Sequence, residues 1–298
     1  MSDRALDRTT RPGVWYAVPA MVFFGLFALV PLVFVLVLSF THWNGLGDPQ
    51  AAGWANWERL AADPTVLDSL RITVVLGVVC WLVQTPLSLL LGVWAAGHQR
   101  NRAVLSAVFF LPLLLSGAAV AIVWRSLLDP NFGLASVLGP LVGVPDGNLL
   151  GSGTSALLVI VVIVAWQFVP FHTLLYQAAA RRIPRQLYEA ARIDGANRLH
   201  QFRHITLPQL RNTIITSSLL MVVGSLTYFE TILIVTDGGP GRATEVLPYR
   251  MYEAGFRSYE MGYGAAIASA LVLIGTLLSL IMVRFSGFSK MRSTLEGL

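Results

Sequence analysis

Six long apolar stretches, separated by shorter polar segments, dominate the pattern of this chain. At about 1.5 Å of rise per helical residue, each stretch is long enough to cross the roughly 30 Å hydrocarbon core of a bilayer. No small-residue cleavage site follows the first stretch, so it is expected to be a retained span and not a signal peptide. The pattern predicts an all-α, polytopic membrane protein with six transmembrane helices, at residues 14–40, 70–97, 103–124, 154–180, 212–235 and 262–283.

Composition agrees with this class. Of the 298 residues, 55% are hydrophobic and only 12% are charged, which is too apolar for a soluble domain. The net charge of +5 comes from basic residues in the loops, which form no stripe with interleaved aromatic residues, and this argues against nucleic-acid binding. The single cysteine, Cys80, lies inside an apolar stretch, so no intrachain disulfide can form.

The distribution of positive charge predicts the orientation in the membrane. Six spans place both termini on one side, together with the polar segments 98–102 and 181–211. Fifteen of the 21 Lys and Arg residues fall on that side, which should therefore be cytoplasmic. The expected organisation is a cytoplasmic tail at 1–13, a transmembrane domain at 14–284 and a second cytoplasmic tail at 285–298.

The segment 181–211 is polar and basic, yet it lies between two spans. Ala190 and Ala191 favour a helix, Gly195 favours a break, and Pro208 closes the segment just before the next apolar stretch. These signals predict a short helical hairpin that lies on the membrane surface.

The same segment resembles the EAA loop of permease subunits in bacterial ABC importers. The family pattern is Glu-Ala-Ala, three residues, Gly, nine residues and Ile-x-Leu-Pro, and every defined position is matched here. In that family the loop docks into a cleft on a partner ATPase subunit. The resemblance implies an ATPase-coupling role for Glu189, Ala190, Ala191, Asp194, Gly195, Ile205, Leu207 and Pro208.

Two of these residues carry specific expectations. The resemblance implies that the Glu189 carboxylate, near the start of a surface helix, pairs with an arginine of the ATPase cleft. We expect that the missing side chain of Gly195 lets the hairpin turn pack closely.

A second resemblance concerns Thr236-Asp237-Gly238-Gly239-Pro240, which is similar to the Thr-x-Gly-Gly-Pro signature of the first permease in carbohydrate importers of the maltose and glycerol-3-phosphate type. Alignment on this signature and on the hairpin implies that several residues contact the sugar. An aromatic face with a few polar groups is what a pyranose site needs. The implied substrate-binding residues are Ser116, Gln167, Phe168, Phe171, Thr227 and Tyr228. Ordinary helix packing remains an equal alternative for any one of them.

Glu230 is the one carboxylate residue inside a predicted span. An intramembrane carboxylate is costly and usually faces a cavity or a partner charge. Glu230 is therefore predicted either to bind substrate or to form a structural ion pair with Arg71 or Arg125.

The chain is not expected to be an enzyme. The phosphate-cradling loop of an ATPase ends in Lys followed by Ser or Thr, and the only lysine, Lys290, has no such context. His200 and His204 have metal-ligand spacing but lack an evident third ligand, so no metal is predicted. ATP and magnesium are expected on a separate subunit, and this chain needs no cofactor of its own.

The resemblance implies a set of partners and a location in the bacterial plasma (inner) membrane. The partners are a second permease subunit that completes a heterodimer, two ATP-binding subunits, an extracytoplasmic sugar-binding protein and a carbohydrate substrate. One alternative is a secondary transporter driven by an ion gradient, which would require paired intramembrane charges. Another is an ABC permease for a non-sugar solute such as a glycerol phosphate derivative.

Overall fold

The computed structural model describes residues 14–97 and 109–286. The predicted tail at 1–13, the turn at 98–102, the start of the third span and nearly all of the tail at 285–298 lie outside the described residues. The chain divides into two compact units. The first takes Met1–Ala62 and Glu253–Ala270, and the second takes Asp63–Tyr252 and Leu271–Leu298.

The first unit begins with a long apolar helix, α1 (Trp15–Leu38), at the place predicted for the first span. It contains Pro19 and Pro31, and its helical path continues past both of them, with a π-type turn between them. None of its most hydrophobic stretch is buried within the chain. In a membrane, this apolar surface contacts lipid or another protein chain.

A small hairpin follows α1 in the first unit. Strands β1 (Thr41–His42) and β2 (Gln50–Ala51) pair antiparallel, with Thr41 opposite Ala51. Helix α2 (Ala55–Ala62) comes next. Its buried Asn56 donates hydrogen bonds to the carbonyls of Ser39 (3.0 Å) and Thr41 (2.8 Å), which fixes the hairpin to the helix.

The second unit is organised around two long helices that pack along each other, α3 (Pro64–Ala95) and α6 (Gly153–Ala180). Gly92 on α3 allows the close approach, because a Cβ there would lie 2.6 Å from the Cβ of Tyr176. Small residues play this part in membrane helix pairs. The core between the elements of this unit includes Leu76 and Ile160, both almost fully buried.

The other helices of the second unit are shorter. They comprise α4 (Gly117–Leu127), which follows a 3-10 turn at Leu111–Leu114, then α5 (Ala135–Leu141), α7 (Arg185–Ile193), α8 (Arg198–Gln201), α9 (Leu207–Gln209), α10 (Arg211–Ser225), α11 (Phe229–Val235) and α12 (Leu247–Tyr252). The last helix, α13 (Met261–Ser286), begins in the first unit and ends in the second.

Within the described residues, four helices are long and apolar enough to cross a membrane, namely α1, α3, α6 and α13. The predicted fifth span is a pair of helices, α10 and α11, bent by 47°. The predicted third span is represented by α4, and residues 103–108 of that span are not described. The chain is thus a helical, membrane-integral protein, and the second span begins six residues earlier than predicted, at Pro64.

Side-chain caps explain where several helices begin. The Asp63 carboxylate accepts a hydrogen bond from the Thr65 amide, and Pro64 occupies the first position of α3. Ser116 caps α4 and Ser152 caps α6 in the same way. Such caps satisfy backbone donors that have no partner inside the helix.

Candidate coupling surface and substrate site

The predicted hairpin is present as α7 and α8, and a well-defined turn joins them. The Gly195 amide donates to the Arg192 carbonyl, and the Ala196 amide donates to the Ala191 carbonyl. Gly195 has a φ of +77°, so this is a Schellman motif with glycine at the left-handed position. The Asn197 side chain then caps α8 by accepting from the His200 amide at 2.8 Å.

Several residues of the motif attach the hairpin to the spans. Ile205 and Leu207 pack against the buried cluster that contains Leu89 of α3 and Tyr176 of α6. The Tyr188 hydroxyl lies 2.9 Å from the Thr206 hydroxyl, which ties the two arms of the hairpin together. The hairpin is therefore packed directly onto the cluster that joins α3 and α6.

The remaining motif residues face outward. Glu189, Ala190, Asp194 and Pro208 are exposed, and Ala191 is partly so. Two apolar side chains beside them, Ile193 and Leu199, are 87% and 73% exposed. A concave surface of about 410 Å³ opens between the helices, lined among others by Asp194, Gly195 and His204. Ile193 and Leu199 are both large apolar side chains exposed on a segment that is otherwise polar.

The close packing expected at Gly195 was wrong. A Cβ built at this position meets nothing within 4 Å, so the turn is open to solvent. Glycine suits this position because of its positive φ, which a β-branched side chain rarely adopts.

The predicted fifth span is interrupted where substrate-binding residues were predicted. Helix α10 ends at Ser225, and α11 begins at Phe229. Thr227 donates its hydroxyl proton to the Gly224 carbonyl at 2.7 Å, which satisfies one carbonyl that the break leaves open. Interrupted helices inside a membrane occur where the backbone faces protein or a water-filled cavity.

The predicted third span is interrupted at Ser116, where α4 begins. This second break contacts the first through α4 and α11. A Cβ on Gly117 would overlap the Glu230 carboxylate, which places that carboxylate at the N-terminus of α4. The partial positive charge of a helix N-terminus favours an anion there.

The predicted ion pair of Glu230 is not formed. Among the described residues, neither Arg71 nor Arg125 makes a salt bridge with it, and the Arg125 guanidinium instead donates to the Ile234 carbonyl at 3.2 Å. Ser116, Thr227 and Glu230 are all exposed in the isolated chain. The Glu230 carboxylate thus lies at the N-terminus of α4 and not beside an arginine, and it remains accessible.

Aromatic residues line the same region. The rings of Phe168 and Tyr228 stack, with centroids 6.2 Å apart and an interplanar angle of 29°. Gln167 is buried on the same helix, and Phe171 lies one turn further along, 39% exposed and edge-on to the His172 ring. The structure therefore brings Phe168 to Tyr228, and it brings Gly117, the residue after Ser116, to Glu230, whereas the Phe171 ring contacts His172.

One residue of this region was missed in the sequence. Gln84 of α3 is fully buried, and among the described residues neither of its amide atoms has a hydrogen-bond partner. It faces the Tyr228 hydroxyl and the Cys80 thiol without hydrogen-bond geometry to either. An uncompensated amide in an apolar interior is costly. The available signal was its position, since it is a polar residue in the middle of an otherwise apolar stretch.

The Thr236–Pro240 segment is held by its own side chains. The Tyr249 hydroxyl donates to the Asp237 carbonyl at 2.9 Å, and the Thr244 hydroxyl lies 2.8 Å from both the Thr236 hydroxyl and the Gly239 carbonyl. These hydrogen bonds fix the conformation of the loop.

No group of three metal-ligating side chains occurs in the part of the chain that the structure describes. His200 and His204 instead stack their rings at a centroid distance of 4.0 Å.

The interrupted spans and the exposed hairpin define a membrane-embedded transport subunit. The family model of the binding-protein-dependent transport system inner membrane component matches residues 88–287. The chain belongs to this family, and it is the non-catalytic permease subunit of an ABC transporter.

Relatives agree with this assignment. The probable ABC transporter permease protein YurN of Bacillus subtilis (strain 168) is 32% identical over 275 residues, covering 91% of this chain and 94% of the relative. The probable starch degradation products transport system permease protein AmyD of Thermoanaerobacterium thermosulfurigenes is 27% identical over 274 residues, covering 91% and 93%.

The fold has a solved counterpart. A chain in the crystal structure of a bacterial ABC transporter involved in the import of the acidic polysaccharide alginate superimposes with a TM-score of 0.76 at 22% identity, covering 94% of this chain and 96% of that chain. The likeness establishes the helical permease fold.

Proposed function

We propose that this chain forms half of the translocation path of an ATP-driven importer for an oligosaccharide or disaccharide. The observation that carries the proposal is the meeting of two interrupted spans at Gly117 and Glu230, together with the stacked rings of Phe168 and Tyr228. Polar groups beside an aromatic face suit the hydroxyls and the apolar face of a sugar ring. The relative that transports starch degradation products supports the same substrate class.

The hairpin couples this path to ATP hydrolysis on a separate subunit. Glu189 and the exposed pair Ile193 and Leu199 dock into the ATPase, with Glu189 paired to an arginine of its cleft. Ile205 and Leu207 transmit movement of the hairpin to the spans, because they pack against α3 and α6. ATP and magnesium belong to the partner subunit in this scheme.

The assembly contains a second permease and two ATP-binding subunits. One chain supplies a single hairpin and leaves Ser116, Thr227 and Glu230 exposed. A second permease would cover this face and close the path. An extracytoplasmic binding protein delivers the sugar, and the hairpin and both termini are cytoplasmic, as the positive charges favour.

The test is uptake by proteoliposomes that contain both permeases, the ATPase and the binding protein. Maltotriose, maltose and sn-glycerol-3-phosphate serve as probes. We expect uptake of a saccharide that requires both ATP and the binding protein. Uptake driven by an ion gradient without ATP, or uptake of the glycerol phosphate alone, would refute the proposal.

A further inference from the structure

The first unit contains a polar recess that the proposed translocation path does not use. It has a volume of about 440 Å³ and lies between the β1–β2 hairpin and residues 259–263. Its lining includes His42, Trp43, Asp48, Gln50, Tyr259 and Tyr263. In the proposed orientation both walls lie on the extracytoplasmic side. The first wall belongs to the segment between α1 and α3, and the second consists of the start of α13 and the two residues before it.

The two walls of the recess are held together rigidly. The Gly262 amide donates to the Trp43 carbonyl at 3.2 Å, and a Cβ on Gly262 would overlap the Thr41 carbonyl. Arg59 donates two hydrogen bonds of 2.9 Å to the carboxylate of Glu260. The Arg59 guanidinium also lies 3.9 Å from the centre of the Tyr263 ring. Such contacts organise a site before any ligand arrives.

Tyr259 stands at the edge of the recess in an unfavourable backbone conformation. Its φ is +57°, and its side chain is 66% exposed. A non-glycine residue with positive φ costs free energy, and such residues concentrate at functional sites. An exposed aromatic ring held at this cost is a candidate contact for a ligand.

We propose that this recess binds an uncharged saccharide unit at the extracytoplasmic face. Trp43, whose indole donates to the Gly47 carbonyl at 3.0 Å, and Tyr259 offer aromatic faces on the two walls. His42, Asp48 and Gln50 offer planar polar groups for hydroxyls. The Asp48 carboxylate disfavours an acidic or phosphorylated sugar, because the one arginine in the lining is already paired with Glu260.

The site is separate from the interrupted spans, so its loss should leave selectivity at Tyr228 unchanged. It would hold the substrate at the extracytoplasmic face of the chain and raise its effective concentration there. This inference rests on the proposed transport of carbohydrate.

The test is photolabelling of the full transporter in nanodiscs with a diazirine derivative of maltotriose, followed by mass spectrometry of the labelled peptides. We expect label in residues 41–50 and 259–263, and less label when unmodified maltotriose competes. An acidic competitor, a galacturonate trisaccharide, should compete at least tenfold less well. Label confined to the transmembrane segments would overturn the inference.

Variants make the test specific. Tyr259→Gly removes the ring and also the free-energy cost of the positive φ, because glycine adopts this conformation readily. The protein should therefore be at least as heat-stable, whereas labelling should fall tenfold or more. Asp48→Asn should weaken the discrimination against the acidic competitor. The matched control Glu58→Gln, an exposed carboxylate of α2 outside the recess, should label like the unaltered protein.

Two results would contradict this site and leave the transport proposal standing. The first is normal labelling in Tyr259→Gly. The second is label confined to the transmembrane segments together with lost association of the binding protein in Tyr259→Gly, which would make the recess a protein-docking surface. Absence of saccharide uptake by the unaltered transporter would instead refute the proposed function itself.

Discussion

The hairpin of α7 and α8 and the two interrupted spans are built on opposite principles. In the hairpin, each turn of the backbone follows from a residue at that place: Gly195 ends α7 with a positive φ, and Asn197 caps α8. In the spans, the breaks at Ser116 and Tyr228 interrupt sequences that read as continuous apolar helices. Local sequence signals therefore fix the conformation of the hairpin, which we propose as the coupling surface, whereas packing between helices contributes to the interrupted spans, which we propose as the substrate site.

This contrast predicts that substitutions in the two regions fail differently. Changes in the hairpin should weaken ATPase docking without altering the preferred sugar. Changes at the interrupted spans should alter sugar preference while the ATPase stays bound.

The largest effect is expected for Glu189→Ala. The change removes a charge-assisted contact worth roughly 1.5 to 3 kcal/mol, so ATPase affinity and coupled uptake should fall by about one to two orders of magnitude. The measurement is ATPase binding to the permease complex, alongside uptake. Gln186→Ala, an exposed position on the same helix, is the control. Full docking by Glu189→Ala would remove the coupling role assigned to this carboxylate.

A somewhat smaller effect is expected for Gly195→Val. A β-branched residue at φ +77° costs about 1 to 2 kcal/mol, so coupling should fall roughly tenfold. Gly195→Asn should retain most activity, because asparagine tolerates this conformation and no atom lies within 4 Å of a Cβ there. If Asn and Val are equally damaging, backbone conformation is not the reason for glycine at this position.

At the interrupted spans, Tyr228→Ala should change the relative uptake of different saccharides. The loss of the stacked pair with Phe168 removes about 0.5 to 1.5 kcal/mol of aromatic interaction, so ratios should shift by at most roughly tenfold. Competition uptake with labelled maltose and maltotriose measures the shift, and pull-down of the ATPase serves as the control. Unchanged ratios together with weakened ATPase binding would reverse the contrast drawn between the two regions.

The smallest effect is expected for Gln84→Leu, and it is a gain. Replacing an amide that has no partner with an apolar side chain should stabilise the fold by about 1 kcal/mol, which raises the melting temperature by a few degrees. The matched control is Gln177→Leu, which should destabilise, because the Gln177 amide donates to the Ala95 carbonyl at 2.9 Å. Thermal unfolding in detergent compares the two. A lower melting temperature for Gln84→Leu would mean that its amide has a partner after all.

Much of the molecule follows from sequence alone. Length and hydropathy determine where α1, α3, α6 and α13 lie, because lipid accepts a backbone only when the helix satisfies it internally. The hairpin can also be predicted from the sequence, since the left-handed glycine and the asparagine cap are local signals that need no distant partner.

Tertiary structure alone decided the rest. The break between Ser225 and Phe229 depends on what packs against it, as does the position of the Glu230 carboxylate at the N-terminus of α4 instead of beside an arginine. Tyr259 and Arg59 are 200 residues apart in the chain, yet they line one recess. Hydropathy averages over a stretch of residues and carries no information on such contacts, because the free energy that breaks a helix or joins distant loops comes from neighbours that the stretch does not contain.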